Sequence, residues 1–346
     1  MTKNVSREIV EFILKHLPEH PKDIVRVTAE KIGVAVPTVH RHLNRLIKNG
    51  DVVKTGRTRG ASYFLKNARN KNVVLKIHPG MEEHTIWQDY FADSFAGLPR
   101  NVLSICDYGF MEMVNNVIDH SEGNSLRIMT QWENNSVKII VADNGIGVFR
   151  KIKDVFHLED EQESILQLSK GKLTTDEDNH SGQGIFFTSR AFDVFLLSSF
   201  GLAYFRDNKE EDWYVKSDPE ETRGTAVTLI IALDSKRDIV KVFSDYTTEE
   251  PEEGIPRFDK THVPVKLSQG GEERMVSRSQ ARRVLLGLEK FRHVILDFSG
   301  IETVGQGFVD EVFRVYHNKR PDITIEYENA NRDVTFMIER SIPHDK

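Results

Sequence analysis

The sequence predicts a multi-domain α/β protein of three units, and three observations carry that expectation. Its 346 residues leave room for two or three domains at roughly 100–200 residues each. Charge changes sign along the chain: residues 1–65 hold 12 Lys and Arg against 6 Asp and Glu, a net of +6, whereas the remainder holds 35 against 47, a net of −12. An acidic stretch with proline and glycine at 245–260 reads as a linker, and beyond it strand-like and helix-like patterns alternate. The expected units are residues 1–70, 78–235 and 256–346.

Composition removes several classes of protein. With 39% apolar and 29% charged residues, each unit can build a core but has little apolar surplus. The single cysteine, Cys106, excludes a disulfide framework and a cysteine-only zinc cage and fits a reducing compartment. The first residues lack the apolar core of a signal peptide. The longest weakly charged run, Val194 to Phe205, is about 12 residues and too short to cross a bilayer. A cytoplasmic protein is expected, with no membrane partner, no internal repeat and no low-complexity tract.

The first unit reads as helices followed by a hairpin. Ser6 is a helix cap, Ile9, Phe12, Ile13 and Leu17 recur at helical spacing, and His20-Pro21 ends the segment. A short helix fits Val25 to Ile32, ended by Gly33. A third begins at Val36-Pro37, where proline suits the first turn, and stops at Asn49-Gly50. Two short strands then flank the glycine-bounded basic turn Gly56 to Gly60, and residues 66–80 read as a linker.

In the second unit Phe110, Met113, Val114, Val117 and Ile118 form one helical stripe. Leu126–Trp132 and Val137–Ala142 read as a hairpin around Asn134-Asn135. Residues 148–181 read as a long polar loop with a short helix near 160–169. A helix after Gly184 and strands at Val194–Ser199, Tyr214–Lys216 and Ala226–Leu233 complete the unit. In the third, strands at Val263–Leu267, Val294–Phe298 and Ile323–Tyr327 alternate with helices at Ser277–Glu289, Phe308–His317 and the end of the chain.

Three constellations point to chemistry. In the third helix, burial of Val39, Leu43 and Leu46 turns Thr38, His40, Arg41, Asn44 and Arg45 outward. That suits a recognition helix in the major groove, with Lys54, Arg57 and Arg59 of the basic turn near phosphates. The segment Gly33 to Gly50 resembles winged-helix transcription regulators. The resemblance implies a winged helix-turn-helix over residues 1–70 and DNA as a partner through Thr38, His40, Arg41, Arg45, Arg57 and Arg59.

The second constellation has four pieces in order. In Glu112-Met-Val-Asn-Asn116-Val-Ile-Asp-His120 the apolar stripe leaves Glu112, Asn116, Asp119 and His120 on another side of one helix. A carboxylate and an amide one turn apart can serve one metal–phosphate site, the amide as a neutral oxygen ligand for Mg²⁺ and the carboxylate as a base. Asp143-Asn-Gly145-Ile-Gly147 follows a strand, so its carboxylate can accept from an exocyclic amine while the glycines admit a ring. Ser181-Gly182-Gln183-Gly184 opens a helix and can hold phosphates, and Arg223-Gly224-Thr225 opens a strand.

This set resembles the GHKL ATPase superfamily, which includes gyrase, heat-shock chaperone, histidine-kinase and mismatch-repair ATPase domains. No G-x-x-x-x-G-K-S/T run is present, so the resemblance implies a Bergerat α/β sandwich over 78–235. It implies ATP and Mg²⁺ as cofactors and residues 148–181 as an ATP lid. By the same resemblance Glu112 is the general base and Asn116 the Mg²⁺ ligand. Asp143 reads adenine, and His120, Gly145, Gly147, Gly182, Gly184 and Thr225 complete the nucleotide site. The histidine at 120 is most similar to that of the anti-sigma-factor serine kinases. Lys170, Lys172, Thr174 and Thr175 are further candidates for the γ-phosphate.

Residues 292–316 resemble STAS-like domains, the anti-sigma-factor antagonist fold, over 256–346. Phosphorylated members carry a serine at the start of the helix; here Thr303-Val-Gly305-Gln306-Gly307-Phe308 has none, which points to a binding or relay module and a protein partner. Ser299 and Thr303 read as caps or turns, and Gly305 to Gly307 as a candidate helix-terminal ligand site.

The leading expectation is a regulator in which Mg-ATP binding and slow hydrolysis are coupled to DNA binding. The alternatives are a serine/threonine protein kinase of the anti-sigma type, or a non-catalytic ATP-binding adaptor. A homodimer is left open.

Overall fold

The structure, a computed structural model, describes residues 3–56, 61–65, 69–133, 135–173, 182–217, 223–247, 257–269 and 275–342. Arg57, Arg59, Asn134, Thr174, Thr175 and Ser181 lie outside the described residues.

The N-terminal unit has its own core. Helix α1 (Lys3–His16) buries Ile9 and Ile13, with Leu17 just beyond it. It already runs through Ser6, so this serine sits in the first turn and is not the cap expected of it. Helix α2 (Ile24–Ile32) ends at Gly33. Helix α3 (Val36–Asn49) buries Val39, Leu43 and Leu46. It stops at Gly50, whose φ of +78° lets its N–H and that of Asp51 turn back to Ile47 and Leu46 carbonyls. Strands β1 (Val52–Thr55) and β2 (Ser62–Leu65) pair antiparallel.

The stretch read as a linker contains β3 (Lys71–Lys76), an edge strand. Its burial alternates, but Val73 and Leu75 are only half-buried and Val74 is exposed, as suits an edge strand flanked by lysines. Three short helical pieces, Glu83–Ile86, Trp87–Phe91 and Ala92–Phe95, follow one another as α4. Helix α5 (Arg100–His120) carries the long apolar stripe. Strands β4 (Ser125–Glu133) and β5 (Ser136–Asp143) form the expected hairpin.

The stretch read as a polar loop holds a helix that was not expected, α6 (Val148–Phe156), and also the short helix expected near 160–169, α7 (Glu161–Lys170). Then come α8 (Gly184–Ala191), β6 (Val194–Ser199), β7 (Leu202–Asp207), β8 (Asp212–Ser217) and β9 (Thr225–Ala232). β7 was not expected: no charged residue separates its apolar residues from those of β6, and the turn between them rests on Gly201 at φ +82°. The sheet runs β3-β4-β5-β9-β6-β7-β8, each neighbour antiparallel. In β4 Leu126, Ile128, Thr130 and Trp132 are buried while the residues between them are not, so helices cover one face. α5 and α8 pack on each other and on that face.

Helix α9 (Ile239–Ser244) precedes the C-terminal unit. There β10 (Lys260–Pro264), α10 (Arg278–Leu285) and β11 (His293–Asp297) are followed by α11. α11 runs from Gln306–Val309 through a wider-turned stretch, Asp310–Tyr316, to His317–Lys319. β12 (Thr324–Glu328) and α12 (Arg332–Ser341) end it. Its three strands are parallel in the order β10-β11-β12. One continuous apolar core runs through the second and third units, joined by the rings of Phe186, Phe187, Tyr246, Phe258 and Phe291. No helix among the described residues is long and apolar enough to cross a membrane.

Candidate functional site

Eight of the residues singled out in the middle unit gather on one cleft of about 1110 Å³ counting its open mouth, whereas Asp119, expected on the same side of its helix, is exposed and does not line it. Glu112, Asn116 and His120 reach it from α5, Asp143 and Gly147 from the end of β5, Gly182 and Gly184 from the start of α8, and Thr225 from β9. Apolar walls come from Val141, Ile152, Leu168, Leu197 and Val227. A few polar groups converging in an apolar recess is the usual make-up of a small-molecule site.

Gly145 lies just behind the wall. A side chain at 145 would meet the Ser121 carbonyl at 1.9 Å, because the Asp143–Gly147 turn is stapled to the end of α5. Ile146 donates to the Ser121 carbonyl at 2.9 Å, and the Asn144 amide pairs with Asn124 and the N–H of Ser125. Neither asparagine was singled out in the sequence, since single amides in turns carry no distinct signal.

Asp143 is buried, and burial raises its pKa above the ordinary carboxylate value. Two backbone N–H groups oppose that shift: Gly145 and Thr225 both donate to Oδ1, at 2.7 and 3.2 Å. The Thr225 hydroxyl oxygen accepts from the N–H of Val148 at 3.0 Å, tying β9 to the first residue of α6.

Glu112 lies against the first residue of α8. A Cβ on Gly184 would fall 2.1 Å from Glu112 Oε2. The Tyr108 hydroxyl bonds the same carboxylate, and burial together with that charge keeps the phenol protonated. One turn along, Asn116 Nδ2 is buried in the cleft wall without a hydrogen-bond partner. Among the described residues no group of three or more His, Cys, Asp or Glu is placed to hold a metal. A cation here would therefore depend on the Asn116 amide oxygen and on oxygens carried by a ligand, a donor set that suits Mg²⁺.

The glycines differ in what they protect. Gly145→Ala is expected to lower stability by roughly 1–3 kcal/mol in chemical denaturation, because its Cβ meets backbone. Gly184→Ala is expected to melt like the wild type, since only the movable end of Glu112 must shift, and to lose function through that shift.

Sequence reasoning missed Lys151. It stands one turn into α6, lines the cleft, and donates to the His120 carbonyl at 2.8 Å and to Glu122 at 3.0 Å. Its helical spacing from Gly147 was a usable signal once α6 was recognised. Conversely, Lys170 and Lys172, expected at a phosphate, turn away. Lys172 donates to the Lys290 carbonyl at 2.6 Å, and Lys170 is buried against the C-terminal unit, where burial pushes its pKa down to about 7. The cause is that the C-terminal unit packs on α7, which a local reading of 148–181 could not anticipate.

The nucleic-acid candidates of α3 lie apart from this cleft. On α3, His40, Arg41, Asn44 and Arg45 are exposed and Thr38 is half-buried. Burial, and then the charges of Arg41 and Arg45, lower the pKa of His42. This unit meets the middle one where the Phe64 ring stacks on the Arg69 guanidinium at 3.1 Å. Arg69 also lies over Trp132 and donates to the Ala96 carbonyl at 2.6 Å.

In the third unit Ser299 bonds Asp297, as a turn residue does. The ligand site expected at Gly305 to Gly307 is filled by the chain itself: a Cβ at 305 would lie 2.6 Å from Val276 Cα. The same crowding leaves no room for a serine side chain at 305, whereas the neighbouring Gln306 is exposed.

A family model described as a STAS-like domain of unknown function (DUF4325) matches residues 280–335. No curated protein matches the chain. The C-terminal part is therefore STAS-like, and the match begins within α10, so β10 lies outside it although β10 pairs with β11.

Proposed function

We propose that this chain is an ATP-gated DNA-binding regulator. In this reading a Bergerat-type middle unit binds Mg·ATP and hydrolyses it slowly, and a winged helix at residues 1–70 binds DNA. One observation carries the proposal. Residues scattered from Glu112 to Thr225 converge on one cleft with two carboxylates, an orphan amide and two glycine turns at its wall.

Asp143 accepts from the exocyclic amine of adenine. Asn116 holds Mg²⁺, which neutralises phosphate charge when bound. The N–H groups at the start of α8 face phosphate oxygens. Glu112 is set to take the proton of an attacking water or hydroxyl. In the hydrolytic case the water oxygen bonds to phosphorus, the bond to the ADP oxygen breaks, and the water's proton passes to Glu112.

The exposed cations of α3 supply the DNA surface, and the Phe64–Arg69–Trp132 stack supplies a route between the units. Arg41→Ala with Arg45→Ala is expected to weaken duplex binding and to lower the salt slope by about one for each phosphate no longer neutralised. Unchanged affinity and slope would remove the DNA role.

A second reading is supported by the His120 position: a serine/threonine kinase, with Glu112 activating a protein hydroxyl. Incubation with γ-labelled ATP separates the readings. Free phosphate supports an ATPase, label on protein a kinase, and tight binding without either an adaptor. The gating itself is tested by measuring ATP and duplex DNA affinities in one titration. Coupled sites must change each other by the same factor, so independent affinities would refute it.

A further inference from the structure

Helix α7 is covered on two sides. Leu168 and, just past its end, Leu173 line the cleft. Gln167 and Lys170, one turn apart, face the C-terminal unit instead. Lys170 is 1% exposed, and its Nζ donates to Gln167 Oε1 at 3.0 Å, the Arg283 carbonyl at 2.9 Å and the Leu286 carbonyl at 2.8 Å. An ammonium has three N–H bonds, and each meets one oxygen. Its own carbonyl accepts from the Thr261 hydroxyl of β10 at 2.7 Å. Beyond the helix, Lys172 and Lys290 each donate to the other's carbonyl, and at its start Glu159 pairs with Arg283.

Burying an ammonium is costly unless its bonds are completed. Two of the three completing oxygens are backbone atoms of one turn of the STAS-like unit. A wall of the cleft is thus held in place from outside the middle unit.

We propose that the C-terminal unit regulates the cleft in cis, with Lys170 as the positioning residue that ties the 161–173 wall to the 283–286 turn. Occupancy of the cleft and docking of the C-terminal unit then change each other's equilibrium. The nucleotide as occupant rests on the function proposed above; the latch rests on the bonds just described.

The test uses the full chain, with Lys170→Met, which keeps length but has no donor, and Thr261→Val, which removes one hydroxyl and moves no charge. Backbone hydrogen exchange is followed without nucleotide, and a fluorescent ATP analogue with Mg²⁺ measures affinity. Expected for Lys170→Met is faster exchange at 161–173 and 278–290 with unchanged exchange in β4 and β5. The affinity shift expected is about five- to a hundredfold, the usual range of coupling between sites. Thr261→Val changes both in the same direction by less. Saturating analogue in the wild type should slow exchange at 278–290, residues that do not line the cleft and that a merely structural lysine would leave unmoved.

Unchanged exchange at 161–173 in a folded Lys170→Met overturns the latch, and unchanged exchange at 278–290 on saturation overturns the coupling. If Lys170→Met does not fold, Thr261→Val decides on the same readouts. If the wild type binds no analogue, the nucleotide reading fails, and exchange in the variants still decides the latch.

Discussion

Asp143→Asn is expected to lower affinity for adenine nucleotides by at least about 100-fold, on the order of 3 kcal/mol, while leaving the fold as stable as before or more so. The two effects have one cause. Asp143 is buried, and two N–H groups already occupy its Oδ1. An amide oxygen can keep those two bonds. The amide nitrogen then presents donors where adenine's exocyclic amine also presents donors, so recognition is lost without disturbing the turn.

Stability moves the other way because the carboxylate's pKa is raised. A group that holds its proton more tightly folded than unfolded stabilises fully below the unfolded value near 3.8 and loses that contribution as pH rises through the folded value. At neutral pH the ionised Asp143 is a net cost that asparagine removes. Melting measured across pH 3–7 should therefore fall with rising pH less steeply in Asp143→Asn than in the wild type. Equal nucleotide affinity in the two proteins would refute the pocket assignment.

Glu112→Gln is expected to reduce turnover about 10²- to 10⁴-fold, the usual contribution of a general base. Nucleotide affinity should stay within about threefold, because the lost step belongs to the transition state rather than to binding. Glutamine keeps an oxygen for the Tyr108 hydroxyl and still touches the start of α8, so the wall of the cleft persists. What it cannot do is take a proton. Comparing free phosphate release with protein labelling in the same variant also assigns the reaction, since a kinase and an ATPase lose different products. Full turnover in Glu112→Gln would remove the base from this position.

Much of the candidate site was legible locally. Glu112 and Asn116 stand one turn apart on a helix whose buried stripe can be read from Phe110, Met113, Val114 and Val117, so their shared side follows from helix geometry. Asp143 ends a strand with clear alternation, and glycines follow it. On α3 the buried Val39, Leu43 and Leu46 leave the basic residues outward for the same reason. Less legible was anything whose burial is set by a distant partner. Gln167, Ser169 and Lys170 are polar, so their stretch reads as solvated, yet all three are buried because Arg283, Leu286 and Arg190 bond them or their backbone. β3 was hidden by the opposite effect, an edge position that leaves Val73 and Leu75 half-buried and Val74 exposed.

Residue order is enough to set the period of each long element, the side on which its chemistry-bearing residues fall, and the STAS-like character of the C-terminal part. Those properties depend on neighbours within a turn or a strand. The folded chain was needed to show that four separate pieces share one cleft, that Lys170 and Lys172 turn from it, and that the STAS-like unit buttresses its wall. Such outcomes depend on which surfaces exclude water together and which buried donors find oxygens. Residues far apart in the chain settle both.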